Sequence, residues 1–151
     1  RVPRSLEDSL LMTEDDFRNI MKVKREVPHF GPTRVHQLRP RDISINTSED
    51  YKLNAPLNKT PTLVLFFAPW CGFCTKFIPT YNELANDIVN NNQEAVLSAV
   101  DCTDEKNSNM VNELKIEGYP TIKSFDRNGI FKENYRGSRE KDDLMRYLQS
   151  L

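Results

Sequence analysis

The sequence has few of the residues that mark several protein classes. Its 151 residues include only five glycines, one tryptophan, two histidines and three cysteines. Three cysteines are too few for a disulfide scaffold, and their odd number leaves at least one thiol unpaired. The chain is nevertheless long enough to bury a hydrophobic core without disulfide staples. We therefore expect a core-stabilised domain in which the cysteines serve another purpose.

Neither a strong charge imbalance nor a long apolar run is present. The formal net charge is −1, which argues against a dedicated nucleic-acid surface. The longest apolar run, residues 63–68, is far shorter than the roughly 18 residues that span a membrane. These values are typical of one globular domain with a short appendage. A chain that starts at Arg1 and not at Met is expected to be a processed or trimmed product.

Residues 1–40 differ from the rest and are predicted to form an N-terminal arm that is partly helical and partly extended. Thr13 and Asp16 have the spacing of a capping box at a helix start. The apolar residues of this helix recur on one side and are Phe17, Ile20 and Met21. An apolar helix face needs burial, so we expect the arm to pack on this chain or on a second copy, as a homodimer.

The second half of the arm is rich in turn-forming residues. Residues 28–42, "PHFGPTRVHQLRPRD", contain three prolines and one glycine, which predicts a linker or an extended segment. Both histidines of the chain, His29 and His36, lie here. No cysteine or carboxylate cluster accompanies them, so we expect solvated loop residues and not metal ligands.

From residue 41 onwards, strand and helix patterns alternate. Strands are predicted at 43–46, 62–68, 95–101, 121–125 and 130–135, and helices at 47–54, 71–91, 104–115 and 138–151. Thr47 is the expected N-cap of the first of these helices. Asn128-Gly129 between the last two strands is a hairpin signal. The pattern predicts an α/β fold whose central mixed sheet is flanked by helices and carries an antiparallel hairpin at one edge.

Cys71 and Cys74 carry the most specific chemical signal. They lie in "FFAPWCGFCTKFIP", residues 66–79, where a buried strand leads into a helix. Free backbone N–H groups and the helix dipole stabilise a thiolate at a helix N-terminus. Cys71 is therefore the predicted nucleophile, and Cys74, one turn further in, the resolving thiol. Gly72 is expected to allow a tight turn into the helix.

Two other interpretations of this pair remain open. A structural zinc site needs four ligands, and only Cys102 and two distant histidines are left to complete one. Two inert buried thiols are also compatible with the spacing. The strand-to-helix position favours the redox pair over both.

Four segments in register resemble a known family. They are "FFAPWCGFC", "VDCTDE", "GYPTIKSF" and "YRGSREKDDLMRYL". Their order and spacing resemble the thioredoxin superfamily and, within it, the catalytic domains of protein disulfide isomerases. The resemblance implies a thioredoxin fold over about residues 41–151, with the arm 1–40 outside it.

The resemblance also implies residue roles. Cys71 is implied to be the nucleophile and Cys74 the resolving cysteine of a disulfide exchange. Pro120 is implied to be a cis-proline that turns the backbone of Tyr119 toward the substrate. The substrate surface is expected to comprise Trp70, Gly72, Phe73, Tyr119 and Pro120.

Two further positions match the family less decisively. Arg139 aligns with an arginine that in protein disulfide isomerases swings toward the resolving cysteine and lowers its pKa. Its alternative interpretation is an exposed charge in the first turn of the last helix. Pro79 is expected to kink the active-site helix, or to be an irregularity without chemical role.

Departures from the family pattern concern the groups that tune the cysteines. Leu65 and Ala99 stand where the family usually places a buried acid and its lysine partner, which removes the usual proton acceptor for Cys74. Phe73 replaces a histidine that helps to hold the thiolate, so the disulfide should be less oxidising. Cys102 is expected to be a small buried apolar residue.

The leading functional hypothesis is a thiol–disulfide oxidoreductase that needs no cofactor or metal beyond Cys71 and Cys74. Its expected partners are proteins with thiols or disulfides and a redox partner, without nucleic acid or a membrane span. The alternative is a client-binding module that uses the apolar surface around Trp70 and Tyr119. A secretory-pathway lumen or another disulfide-forming compartment is slightly favoured over the cytoplasm.

Overall fold

The computed structural model describes residues 13–22 and 25–151. Its helices are α1 (Glu14–Lys22), α2 (Gly72–Asn90), α3 (Ser108–Glu113) and α4 (Lys141–Gln149). Its strands are β1 (Arg25–Val27), β2 (Gly31–Thr33), β3 (His36–Gln37), β4 (Ile43–Ile45), β5 (Tyr51–Leu53), β6 (Thr62–Phe67), β7 (Val96–Asp101), β8 (Thr121–Phe125) and β9 (Phe131–Asn134). Short 3-10 turns occupy Pro40–Asp42 and Glu105–Asn107.

A five-stranded mixed sheet in the order β3-β7-β6-β8-β9 forms the centre of the fold. Strands β3, β7 and β6 run parallel, whereas β8 and β9 are antiparallel to their neighbours. All six residues of β6 and all six of β7 are buried, as expected for strands covered on both faces. The predicted mixed sheet with an edge hairpin is confirmed, and Gly129 adopts the positive φ of 79° in its turn.

Helix α2 carries the cysteine pair and is fixed to the sheet below it. Tyr81 is fully buried, and its hydroxyl lies 3.0 Å from the carbonyl oxygen of Leu63 and 2.9 Å from that of Ser98. The helix thus bonds to both β6 and β7. Pro79 lies within the helix. Helix α4 buries Leu144 and Leu148.

The segment predicted to be a linker or an extended arm is extended and packs on the domain. Phe30 contacts Phe67 edge-to-face, with ring centroids 5.2 Å apart. Val35 and Leu38 are buried to 1% exposure, and β3 pairs with β7 at the sheet edge. This apolar burial fixes an extended segment that lacks a periodic pattern. The domain boundary predicted between residues 40 and 41 stays a prediction.

His36 also departs from the sequence-based expectation of a solvated loop residue. It lies in β3, its side chain is only 12% exposed, and its Nε2 lies 3.5 Å from Oδ2 of Asp42. His29, by contrast, is exposed in a turn with a positive φ of 70°. Pairing of the arm with β7 draws the histidine of β3 inward.

The helix predicted over residues 47–54 is wrong, because Tyr51–Leu53 forms strand β5 paired with β4. Thr47 does accept a backbone hydrogen bond, from Glu49 N at 3.2 Å. That bond closes a two-residue side-chain turn and does not begin a helix. Turn-forming residues and N-cap residues share the same chemistry, which explains the error.

The capping box of the N-terminal helix is confirmed. Asp16 N donates to Oγ1 of Thr13 at 3.0 Å, and Thr13 N donates to Oδ2 of Asp16 at 3.1 Å. Ile20 is 8% exposed and joins the core of this chain. The part of the helical pattern before Thr13, and the side chains of Phe17 and Met21, lie outside the described residues.

Candidate functional site

The junction between β6 and α2 places Cys71 at the N-cap of the helix. Its φ of −84° and ψ of 120° are extended, and its carbonyl already accepts the first helical bond, from Thr75 N at 3.0 Å. Its own N–H donates to the carbonyl of Ala68 at 3.0 Å. The N–H groups of the first helical turn have no earlier helical carbonyl to bond. They are therefore available to the Cys71 sulfur.

Electrostatics at this position favour the thiolate of Cys71. The backbone N–H of Cys74 is the main group that lowers the pKa of Cys71 below its ordinary value of 9.0. Partial desolvation opposes this effect, whereas the N–H of Phe73, the thiol of Cys74 and the charge of Arg139 reinforce it. Cys71 therefore has the environment of a nucleophile.

Cys74 has the same chemistry in the opposite environment. It is fully buried on the inner face of α2. Burial is the main cause that raises its pKa to about 11, and the neighbouring Cys71 raises it further. Both cysteines are free thiols in this structure. The thiol of Cys74 retains its proton and can hydrogen bond to the thiolate of Cys71.

The Tyr119–Pro120 segment lies against the nucleophile. The peptide bond between these residues is cis, as the resemblance implied. Sγ of Cys71 lies 3.6 Å from the carbonyl oxygen of Tyr119. The ring of Tyr119 meets Trp70 edge-to-face, with centroids 5.8 Å apart. The redox pair, Trp70 and the cis-proline are thus brought together from two separate parts of the chain.

Exposed aromatic side chains surround the nucleophile. Trp70 is 73% exposed and Phe73 is 68% exposed, although large apolar residues of this kind are usually buried. No tight turn requires glycine at position 72, since its φ is not positive and a Cβ there would meet no atom within 4 Å. The conformational reason expected for Gly72 is therefore wrong. Its absence of a side chain leaves the surface beside Cys71 open.

Arg139 lies just before α4 and is exposed. Its positive charge favours the thiolate form of both Cys71 and Cys74, which brings it into the electrostatic environment of the pair. The catalytic role of Arg139 stays a prediction.

Arg136 was not singled out by the sequence, yet it shares with Arg139 and Pro120 a cavity of about 270 Å³. The pairing of Tyr135 N with the carbonyl of Ile122, at 2.7 Å, brings this arginine there.

The two positions where the family usually places a buried acid and its lysine partner lie in the central sheet. Leu65 on β6 and Ala99 on β7 are cross-strand partners in register, and both are fully buried. The two departures from the family pattern are thus neighbours, as a missing ion pair requires. Their replacement leaves no stranded buried charge at this place.

Cys102 behaves as a structural thiol. It follows β7, is half-buried, and its Sγ lies 3.8 Å from the carbonyl oxygen of Val100. Burial, together with the adjacent Asp101 carboxylate, raises its pKa to about 12. Its side chain also interacts with the hydroxyl of Tyr119, a contact that the sequence did not reveal.

In residues 13–22 and 25–151, no three His, Cys, Asp or Glu side chains cluster as metal ligands. None of the helices described is long and apolar enough to cross a membrane.

Comparison with known proteins identifies the fold family. The sequence profile of the Thioredoxin family matches residues 43–150. The chain belongs to the thioredoxin family. It is 39% identical over 92 residues to a protein disulfide-isomerase of Zea mays, an alignment that covers 60% of this chain and 18% of that protein. It is 34% identical over 94 residues to a mitochondrial thioredoxin domain-containing protein of Schizosaccharomyces pombe, covering 60% of this chain and 25% of that protein.

Solved structures agree with this assignment to the thioredoxin family. The zinc-bound form of human ERp44 superposes with a TM-score of 0.59 and 29% identity, covering 77% of this chain and 30% of that one. The Trx4 domain of ERdj5 superposes with a TM-score of 0.57 and 25% identity, covering 79% of this chain and 96% of that one. The chain spans 17–18% of the length of the first curated relatives.

Proposed function

We propose that this chain is a thiol–disulfide oxidoreductase domain that acts on protein disulfides through Cys71 and Cys74. The observation that carries the proposal is the contrast between two thiols one helical turn apart. The pKa of Cys71 is lowered by helix N–H groups, whereas burial raises the pKa of Cys74 to about 11. This contrast supports Cys71 as the nucleophile and Cys74 as the resolving thiol.

The exchange proceeds in two balanced steps. The Cys71 thiolate attacks one sulfur of a client disulfide, which forms a mixed disulfide and releases the other client sulfur as a thiolate. Cys74 then loses its proton and attacks the Cys71 sulfur, which forms the Cys71–Cys74 disulfide and releases the second client thiol. The reverse sequence transfers the disulfide to the client. No cofactor or metal takes part in either direction.

Deprotonation of Cys74 is the demanding step in this scheme. Leu65 and Ala99 provide no acid or base beneath it. The positive charge of Arg139 acts on Cys74 in the favourable direction, and the client thiolate released in the first step can accept the proton. We therefore propose slow, substrate-selective exchange and not rapid general isomerisation. Trp70, Phe73, Tyr119 and Pro120 form the surface on which the client rests.

A specific observation favours a second function, client binding without redox turnover. Exposed Trp70 and Phe73 offer apolar contact area, and the apolar floor beneath Cys74 handicaps turnover. In this alternative, a client is held by surface contacts and no mixed disulfide forms.

Trapping distinguishes the two functions. The Cys74→Ala variant is incubated with a peptide disulfide, quenched with acid and weighed by mass spectrometry. An oxidoreductase accumulates a mixed disulfide on Cys71, which the Cys71→Ala/Cys74→Ala double variant cannot form. Cys102→Ala in the Cys74→Ala background is the matched control and should trap equally well. Equal peptide retention by the double variant, without any covalent adduct, would establish the binding module instead.

The direction of electron flow follows from the reduction potential of the Cys71–Cys74 pair. Graded glutathione buffers with mass-tagging of free thiols measure it directly. A value near the roughly −270 mV of thioredoxin indicates a reductase, and one near the roughly −180 mV of protein disulfide isomerase indicates a disulfide donor. Absence of a disulfide over the whole range would refute the oxidoreductase.

The cellular setting is part of the proposal. Similarity to protein disulfide-isomerases favours a disulfide-forming compartment, although the Schizosaccharomyces pombe relative carries a mitochondrial name. A redox partner that recharges the Cys pair is required for repeated turnover. Pairing of two copies through residues 1–40 also stays a prediction, which light scattering of the chain with and without these residues tests.

A further inference from the structure

A small cavity is lined by the cis-proline Pro120 and by Arg139, whose charge acts on both cysteines of the redox pair. It has a volume of about 270 Å³ and lies between the start of β8 and the segment that links β9 to α4. Pro120 and Thr121 form one wall, and Arg136 and Arg139 form another. None of the residues that line it is acidic.

The cavity is connected to the reacting sulfur through a single residue. Sγ of Cys71 contacts the carbonyl oxygen of Tyr119 at 3.6 Å, and Tyr119 is bonded directly to Pro120 in the cavity wall. A client segment that continues from a cysteine joined to Cys71 past Tyr119 and Pro120 would reach this cavity. Each extended residue adds about 3.3–3.6 Å of reach, so the client residues concerned lie within a few positions of its cysteine.

Both arginines of the cavity are available to bind an anion. Arg136 and Arg139 are exposed, and neither forms an ion pair with a carboxylate of the described residues. Other cations of the chain do: Arg18 pairs with Glu14, Lys141 with Asp87 and Arg146 with Asp143. A planar guanidinium matches the geometry of a carboxylate. Two of them facing an acid-free cavity make a cationic subsite.

We propose that this cavity binds a carboxylate of the disulfide substrate, so that clients with Asp or Glu close to the reacting cysteine are exchanged in preference to neutral or basic ones. The inference rests on the proposed oxidoreductase function and assigns its substrate class. The carboxylate belongs either to an acidic peptide or to glutathione, and the two sources are separable by experiment.

Single-turnover reduction of matched peptide disulfides tests the subsite. The reduced full chain is mixed with peptides that carry Asp, Asn or Lys beside the cystine, and with glutathione disulfide. In each turnover the Cys71–Cys74 dithiol becomes a disulfide, and the substrate disulfide becomes two thiols that take the two protons. We expect the Asp peptide to react about three- to fivefold faster than the Asn peptide, as for exposed ion pairs, and the Lys peptide to be slowest. The preference should decrease at 0.5 M salt, because salt screens exposed charges.

Charge reversal at Arg136 locates the effect. Arg136→Glu should abolish or invert the ratio of the Asp to the Asn rate, and Arg136→Lys should retain part of it. Arg127→Glu makes the same change of net charge in the exposed β8–β9 turn and should leave the ratio unchanged. Thermal melting verifies that the variants fold, and Arg136→Gln replaces any that does not. The same sensitivity of glutathione disulfide to Arg136 would make the small thiol a ligand as well, whereas insensitivity restricts the subsite to peptides.

The outcomes separate the subsite from the function on which it rests. Equal Asp and Asn rates in the unaltered chain, or equal changes in the ratio for Arg136→Glu and Arg127→Glu, overturn the subsite but leave the oxidoreductase intact. Failure to reduce any peptide overturns both.

Discussion

Two parts of the candidate site differ in exposure and in the pKa of the thiol that each contains. We call them the rim, which is Trp70, Cys71 and Phe73, and the floor, which is Leu65, Cys74 and Ala99. The two aromatic side chains of the rim are exposed, its thiol is partly buried, and the pKa of that thiol is lowered. The floor is fully buried, and its thiol has a raised pKa.

The comparison shows that position, not residue type, assigns the roles of the two cysteines. Both belong to one turn at the start of α2. The rim has access to unpaired helix N–H groups, whereas desolvation by burial is the largest influence on the thiol of the floor. Cys74 in the floor therefore keeps its proton at a pH at which Cys71 in the rim loses its own more readily.

The largest expected effect comes from charging the floor. Leu65→Glu should lower the free energy of unfolding by about 3–5 kcal/mol, because it buries a carboxylate without a partner. Urea denaturation measures the change. Leu65→Gln is the matched neutral control and should cost less at pH 7. Addition of Ala99→Lys on the paired strand should recover part of the loss, and equal costs for Glu and Gln would contradict the electrostatic explanation.

Alkylation should separate the two thiols by more than about 100-fold at pH 7.5. The pKa of Cys71 lies below 9.0 and that of Cys74 at about 11, and only the thiolate reacts. Peptide mapping after brief iodoacetamide treatment of the reduced chain identifies the site that is labelled first. The pH profile of the labelling rate at Cys71 should have its midpoint below pH 9.0. Comparable labelling of both thiols would remove the distinction between rim and floor.

A histidine at the rim should make the disulfide more oxidising. Phe73→His adds a group that stabilises the Cys71 thiolate and hence the reduced state. An equilibrium constant changed tenfold corresponds to a potential about 30 mV higher, and we expect a shift of this order in glutathione buffers. Phe73→Leu, which changes size but adds no charge, should leave the potential near its original value. A similar shift in both variants would assign the effect to the loss of the aromatic ring.

The smallest expected effect is on the free energy of unfolding when Lys123 on β8 is replaced. Lys123 is a buried charged residue in the central sheet, whereas the floor contains no charged residue. Lys123 is 4% exposed, its Nζ lies 2.7 Å from Oδ1 of Asn134, and burial lowers its pKa to about 8. Its ammonium also lies 4.9 Å from the centre of the Phe131 ring. These contacts offset part of the desolvation, so Lys123→Met should raise the free energy of unfolding by only about 1 kcal/mol at pH 7.

The pH dependence of this gain has a definite sign. Between pH 8 and the ordinary lysine pKa of 10.5, the unfolded chain binds more protons than the folded one. The stability of the unaltered chain therefore rises through this window, and the advantage of Lys123→Met shrinks. Lys132→Met removes the same charge at an exposed position of β9 and is the matched control. A constant difference from pH 7 to 10.5 would contradict the lowered pKa.

The parts of the fold that the sequence predicts are those with long patterns. Strands β6 and β7, helix α2 and the β8–β9 hairpin follow from continuous apolar runs, a helical period and an Asn-Gly turn. The cis bond before Pro120 followed from family resemblance. The neighbouring positions of Leu65 and Ala99 also agree with the missing ion pair that the resemblance indicated.

The parts that the sequence does not predict depend on tertiary contacts. Strands β1, β2, β3 and β5 have two or three residues each, too few for a period to be detected. Arg136 is an ordinary surface residue in sequence, and only the fold brings it beside Pro120. Cys102 is half-buried and not fully buried as expected, and its contact with Tyr119 depends on how β7 ends near the cis-proline.

The pairing of β3 with β7 has a consequence for the chain outside the site. A strand at the edge of a sheet presents unpaired N–H and C=O groups to any other extended chain. Here β3 and the bond from Leu38 N to Ala99 O, 3.0 Å long, cover the edge of β7 at Ser98 and Ala99. The segment before residue 43 thus leaves fewer backbone groups of β7 free for edge-to-edge aggregation. This role is separate from disulfide exchange.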